Sequence, residues 1–160
     1  MISHVTKLLL AAVLVLAMTG PAAAADASEA VVGSWTLNLA KSRFSPGPAP
    51  KSQTRTYAAT ADGLDMTVTG VGADGKDISQ HSTFKYDGKD YAISGSPDYD
   101  SLTLKRVDDW TIESVQKLKG KAVGKTTRTV SRDGKVLTLS SKGTSATGVP
   151  YDTVMVFDRK

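Results

Sequence analysis

Apolar and polar residues alternate with a period of two along most of this chain. In Val32-Gly33-Ser34-Trp35-Thr36-Leu37-Asn38-Leu39, residues Trp35, Leu37 and Leu39 fall on one side and Ser34, Thr36 and Asn38 on the other, the pattern of a strand with one buried and one wet face. The same grammar recurs over 54–59, over 64–69, where Leu64, Met66 and Val68 alternate with Asp65, Thr67 and Thr69, and over 78–85, where Ile78, Gln80, Ser82 and Phe84 share a face. A short strand follows around Tyr91 and Ile93, then strands over 102–105, 110–117, 123–131, 136–141 and 151–158. Asp62-Gly63, Asp74-Gly75-Lys76, Asp87-Gly88-Lys89 and Asp133-Gly134-Lys135 punctuate the runs. Asp and Gly tolerate the positive φ that tight hairpin turns demand.

Strands this short and this regularly spaced predict an all-β fold, a closed or nearly closed up-and-down antiparallel β-barrel of about 8 to 10 strands that curls to hide its edges. No stretch after residue 25 shows helical apolar spacing, and Thr, Ser, Val and Tyr dominate the strand positions, so almost no helix is expected. The longest irregular stretch is Ser45-Pro46-Gly47-Pro48-Ala49-Pro50, whose prolines forbid a continuous ladder. It reads either as a lid over one mouth or as a rigid connection held down by Phe44.

The first 25 residues obey a different rule. Lys7 precedes an unbroken apolar run from Leu8 to Met18, Gly20-Pro21 breaks it, and Ala22 to Ala25 offers a small-residue cleavage site. The run is shorter than the roughly 20 residues of a membrane span, so residues 1–25 are expected to be a cleaved signal peptide and 26–160 a single exported domain, periplasmic or secreted, with no membrane span in the mature chain. Removing Lys7 lowers the formal net charge from +4 to +3. The remaining basic residues are scattered, with lysines in the turns, and no basic block marks a nucleic-acid footprint. The chain has no cysteine, so no disulfide framework supports the fold.

Catalytic and metal chemistry find little to work with. His4 lies in the leader and leaves His81 alone, too little for a zinc site, and Asp98-Tyr99-Asp100 lacks a calcium-loop pattern. No Gly-x-Ser-x-Gly elbow accompanies His81. Glu113, the only strand glutamate, is expected to point outward. Neither an enzyme nor a cofactor is expected. The apolar strand residues Met66, Phe84, Tyr91, Leu104, Ile112, Leu139, Met155 and Phe157, with Tyr57 near the mouth, are the expected inner lining. They either bind a ligand or simply fill the barrel.

Gly33-Ser34-Trp35 opening the first strand, the chain of hairpins, and the closing strand Val154-Met155-Val156-Phe157-Asp158-Arg159 resemble the calycin superfamily, the lipocalins and fatty-acid-binding proteins. The closest likeness is to small exported bacterial lipocalin-like proteins of no assigned function. The resemblance implies that Gly33 and Trp35 form a structural plug at one end of the barrel, covered by Arg159 unless that residue is a solvated terminal charge. It also implies a non-enzymatic binding protein for a small hydrophobic molecule. Where fatty-acid-binding proteins hold a carboxylate with an Arg-x-Tyr pair on the last strand, this chain has Met155 and Phe157. Neither pairs a carboxylate, so a neutral ligand is expected unless Arg128 turns inward. The alternative is an interaction or inhibitor protein of the cell envelope built on a filled barrel, with no small-molecule ligand.

Overall fold

The computed structural model describes residues 29–160, so the leader expected over 1–25 lies outside the described residues. Ten strands follow one another as a meander: β1 (Gly33–Leu37), β2 (Ser52–Thr60), β3 (Gly63–Val71), β4 (Asp77–Phe84), β5 (Asp87–Ala92), β6 (Ser101–Arg106), β7 (Thr111–Leu118), β8 (Lys121–Val130), β9 (Val136–Thr144) and β10 (Pro150–Arg159). All pairings are antiparallel, and β1 joins β10, giving one sheet in the order β4-β3-β2-β1-β10-β9-β8-β7-β6-β5. The sheet curls until its two outer strands meet. No ladder joins β4 to β5; the seam is held by paired main-chain hydrogen bonds between His81 and Ser94 and by the Ser82 hydroxyl, which donates to the Ala92 carbonyl at 2.8 Å. The result is an all-β, nearly closed ten-stranded barrel.

The alternation explains which side chains turn inward. Gln53, Arg55 and Tyr57 on β2, Leu64, Met66 and Val68 on β3, and Leu137, Leu139 and Ser141 on β9 are all buried, as a two-residue period places them. The turn grammar is equally physical. In each Asp-Gly-Lys triplet the Asp carboxylate accepts the backbone N–H two residues on, at 3.1 Å for Asp74, 3.0 Å for Asp87 and 3.1 Å for Asp133, while the glycine takes φ of +85°, +75° and +70°. The Asp87 triplet is no hairpin turn, however. It opens β5 with a register shift between Asp87 and Asp90, so β5 begins earlier than the alternation at Tyr91 and Ile93 predicts.

Leu39 also departs from expectation. Asn38 caps a 3-10 turn over Leu39–Lys41 by accepting the Lys41 N–H, which lifts Leu39 off the strand and leaves it 45 % exposed. The proline-rich stretch is tied to the wall rather than laid across a mouth: Arg43 bridges Val154, the Asp152 N–H donates to the Ser45 carbonyl at 2.7 Å, and Phe44 packs against the core. Glu113 faces outward, opposite Lys105. Among the described residues no helix is long and apolar enough to cross a membrane.

The closed end is built around Trp35, which is fully buried, with its indole N–H donating to the Val31 carbonyl at 2.7 Å. The Arg159 guanidinium lies 4.1 Å from the indole centroid and donates to the carbonyls of Ala30, Val32 and Gly134 at 2.6, 2.7 and 2.5 Å. Gly33 is needed here on two counts. Its φ is +126°, and a Cβ would come within 2.6 Å of the Arg159 guanidinium.

Candidate functional site

Above this floor the barrel encloses a cavity of about 230 Å³. Its apolar wall comes from alternate positions of successive strands, so that Met66, Phe84, Leu102, Leu104, Ile112, Leu139 and Met155 all face one space. Tyr57 joins them but lies deep, 2 % exposed, instead of near the mouth. Two residues expected in the lining are elsewhere. Phe157 is sealed in the core beneath the Arg55 guanidinium, one step closer to the Trp35 floor, and Tyr91 packs beside the core with its hydroxyl turned to the Asp87 carboxylate.

The lining also contains two arginines, Arg128, whose inward turn was the alternative to a neutral ligand, and Arg55, which the sequence pattern did not single out. Arg55 on β2 is only 9 % exposed. It donates to Gln53 Oε1 at 3.3 Å and to Met66 Sδ at 3.6 Å, and it sits 5.6 Å from the Phe157 ring centroid. Arg128 on β8 is 7 % exposed; its guanidinium lies 5.2 Å from the Tyr57 ring centroid and 5.4 Å from that of Tyr86, and it donates to the Tyr86 hydroxyl. Among the described residues neither forms an ion pair with a carboxylate. A desolvated cation without a counter-ion costs several kcal/mol, offset in part here by aromatic faces and phenol oxygens. The premise that the lining carries no fixed cation therefore fails.

The phenols register this field. Burial pushes the Tyr57 hydroxyl up, but the charges of Arg55 and Arg128 and their hydrogen bonds outweigh it and hold the pKa below the ordinary tyrosine value. Tyr86, Tyr99 and Tyr151 go the other way, raised chiefly by burial.

Farther from the floor the wall turns polar, with Ser114 and Gln116 on β7, Thr126 on β8, Ser141 on β9, and Tyr151 and Thr153 on β10. Tyr151 reaches across the facing pair Gly124 and Gly143, where added Cβ atoms would fall 2.3 and 2.6 Å from its hydroxyl oxygen. The loop from β5 to β6 contributes Asp98 and Tyr99 to the lining. This loop is strapped down. Asp98 Oδ1 accepts the Ala146 N–H at 3.0 Å, Asp100 Oδ2 accepts the Lys119 N–H at 2.8 Å, and the Asp100 N–H donates to the Lys117 carbonyl at 2.9 Å. Both acids are thus committed to loop amides, and among the described residues no cluster of three or more His, Cys, Asp or Glu side chains is placed to hold a metal.

A steeply amphipathic chamber results, with an apolar wall, two guanidiniums that form no ion pair among the described residues, the Asp98 carboxylate and a hydroxyl-rich belt. No family model matches the chain. No curated protein matches it. Among solved structures it is similar to zebrafish ileal bile acid-binding protein complexed with cholic acid, with 13 % sequence identity and a TM-score of 0.48 over 82 % of this chain and 99 % of that one.

Proposed function

We propose that this protein is an exported binding protein, a single lipocalin-like domain over 26–160 released from a signal peptide over 1–25, that holds a small amphipathic acid inside its barrel. One observation carries this reading: two arginines less than a tenth exposed line one cavity and lack a carboxylate partner among the described residues. An acidic ligand supplies the missing counter-charge in a low-dielectric site, where a charge-assisted bidentate contact is strongest. Met66, Phe84, Leu104, Ile112, Leu139 and Met155 then cover its apolar part. At 230 Å³ the cavity falls under the roughly 300–1,000 Å³ of drug-sized ligand pockets, which favours a medium-length chain or a single small ring system. The neutral ligand expected from Met155 and Phe157 gives way to an anion because the cation comes from β2 and β8 instead of β10.

Isothermal titration of the protein with decanoate and with decanol at pH 7 tests this. The acid is expected to bind at least tenfold more tightly than the alcohol, with the difference lost in Arg55→Met and Arg128→Met. Equal or tighter binding of decanol overturns the acid preference and restores the neutral ligand. Failure of both to bind moves the weight to the interaction or inhibitor protein.

A further inference from the structure

We infer that the cavity reads a second polar group on its ligand, a hydroxyl placed far from the acid and received by Gln116. The inference rests on the acid-binding reading above and adds a specificity to it. Gln116 is 7 % exposed and lines the cavity. Its amide nitrogen donates to the Thr126 hydroxyl at 2.7 Å and to the Ser114 hydroxyl at 3.3 Å, and the Thr126 hydroxyl shares a hydrogen bond of 2.7 Å with Ser141. These contacts fix the side chain and occupy one half of the amide. The other half, Oε1, is the single buried side-chain polar atom among the described residues without a hydrogen-bond partner. Buried acceptors are nearly always satisfied in native proteins, and this one belongs to a residue of the cavity wall, packed over Gly124 beside the Tyr151 hydroxyl, where a ligand donor that displaces that packing supplies the missing bond.

A hydroxyl suits the position better than any other common group. Rotating the amide by half a turn exchanges its ends, presenting N–H₂ to the cavity while Oε1 accepts from Ser114 or Thr126, and a ligand hydroxyl donates to the first arrangement and accepts from the second. A carboxylate does not donate, and an aliphatic terminus leaves the amide unpaired.

The strand register places this group relative to the acid. Ile112 pairs with Arg128, and Gln116 pairs with Gly124. The two levels are thus four residues apart on both strands, or about 13 Å of backbone at ~3.3 Å per residue. Between them the wall carries Leu104 on β6 and, on β7 to β9, the hydroxyls of Ser114, Thr126 and Ser141, which are already hydrogen-bonded to Gln116, to one another or to the main chain. A ligand filling both sites carries its carboxylate and its hydroxyl at opposite ends of an apolar body, the spacing of roughly ten carbons in an extended chain of ~1.5 Å bonds. The class is the ω-hydroxy acid or a rigid equivalent.

The test compares decanoate, 10-hydroxydecanoate and 2-hydroxydecanoate by isothermal titration. The wild-type protein should bind 10-hydroxydecanoate about five- to tenfold more tightly than decanoate, the gain from one hydrogen bond to an otherwise open acceptor, and 2-hydroxydecanoate no more tightly than decanoate. In Gln116→Met, near in size and unable to pair a hydroxyl, decanoate should bind as before or better and the preference should reverse. Gln116→Leu provides the same comparison if the methionine variant does not fold. Weaker binding of 10-hydroxydecanoate than of decanoate by the wild type, or a preference that survives both substitutions, overturns the inference while leaving the acid site standing. No binding of any of the three acids overturns the acid site and this inference together.

Discussion

Arg159 and the pair Arg55 and Arg128 all lie against aromatic rings, yet they sit in opposite electrostatic conditions. Arg159 covers Trp35 from outside the barrel, is open to water, and spends its donors on three main-chain carbonyls between 2.5 and 2.7 Å. It is a finished structure that ties the start of β1 to the end of β10 and the β8–β9 turn. Arg55 and Arg128 are inside, with an amide, a thioether and a phenol for partners. An exposed guanidinium that is fully hydrogen-bonded adds stability, whereas a buried one without a counter-ion subtracts it. The same residue type is thus a clasp at the floor and, in the chamber, a buried charge without an ion-paired carboxylate among the described residues.

The largest effect that bears on this contrast is at the floor. Trp35→Ala should cost about 3 to 5 kcal/mol in chemical unfolding, as large aromatic deletions in cores do; a cost below ~1 kcal/mol would mean that Trp35 does not anchor the closed end. Arg159→Met should lose about 1.5 to 3 kcal/mol, the scale of hydrogen bonds from a charged donor. Arg159→Lys should recover little of it, because an ammonium cannot span three carbonyls as the planar fork does. Arg55→Met, in contrast, should leave stability unchanged or raise it by up to a few kcal/mol while acid affinity falls. A loss of stability in Arg55→Met as large as in Arg159→Met would erase the distinction.

The smallest effect is a titration. Tyr57 has a folded pKa held below its ordinary value near 10 by Arg55 and Arg128 against the push of burial. In that window the unfolded chain keeps the proton that the folded one has released. The stabilisation from the phenolate is therefore complete above the unfolded pKa and is lost as pH falls through the lowered folded value. Tyr86, Tyr99 and Tyr151, raised chiefly by burial, contribute in the opposite sense and lose their share as pH rises through their folded values. The difference between wild type and Tyr57→Phe isolates the first group. Ultraviolet titration of the folded protein should show one phenol ionising below the usual tyrosine range, absent in Tyr57→Phe and moved upward by bound decanoate. A titration unchanged by the substitution would refute the field assigned to the two arginines.

Much of the fold was legible because strand alternation is a local property. Leu64, Met66 and Val68, or Leu137 and Leu139, declare their face without reference to partners. Leu39 misled because a single cap at Asn38 ends the strand that its parity extends. The Asp87 triplet misled because the same Asx geometry serves a bulge as well as a hairpin. In the site, the apolar lining was readable, but Phe157 was not separable from Met155, since parity fixes the face and not the depth along the barrel axis. Arg55 had the right parity, two residues from Tyr57 on one face of β2, and Gln116 shares a face with Ile112. Charge and polarity argue for the outside wherever parity is the only evidence, and only the closure of the barrel, which sets β2 against β8, makes an inward cation intelligible. Tyr151 was announced by a weaker signal, the mid-strand glycines Gly124 and Gly143 that clear its path.

In the proposed function Arg55 and Arg128 receive a ligand acid in its charged form. Nuclear magnetic resonance of decanoate labelled with carbon-13 at the carboxyl, bound to the protein and titrated with acid, reads that charge at the atom concerned. The bound carboxyl is expected to stay ionised to a pH well below its value in water, with the shift reduced in Arg55→Met and in Arg128→Met. A bound carboxyl that takes up its proton at a higher pH than the free acid would mean that the chamber receives the neutral form, and would overturn the proposed acid site.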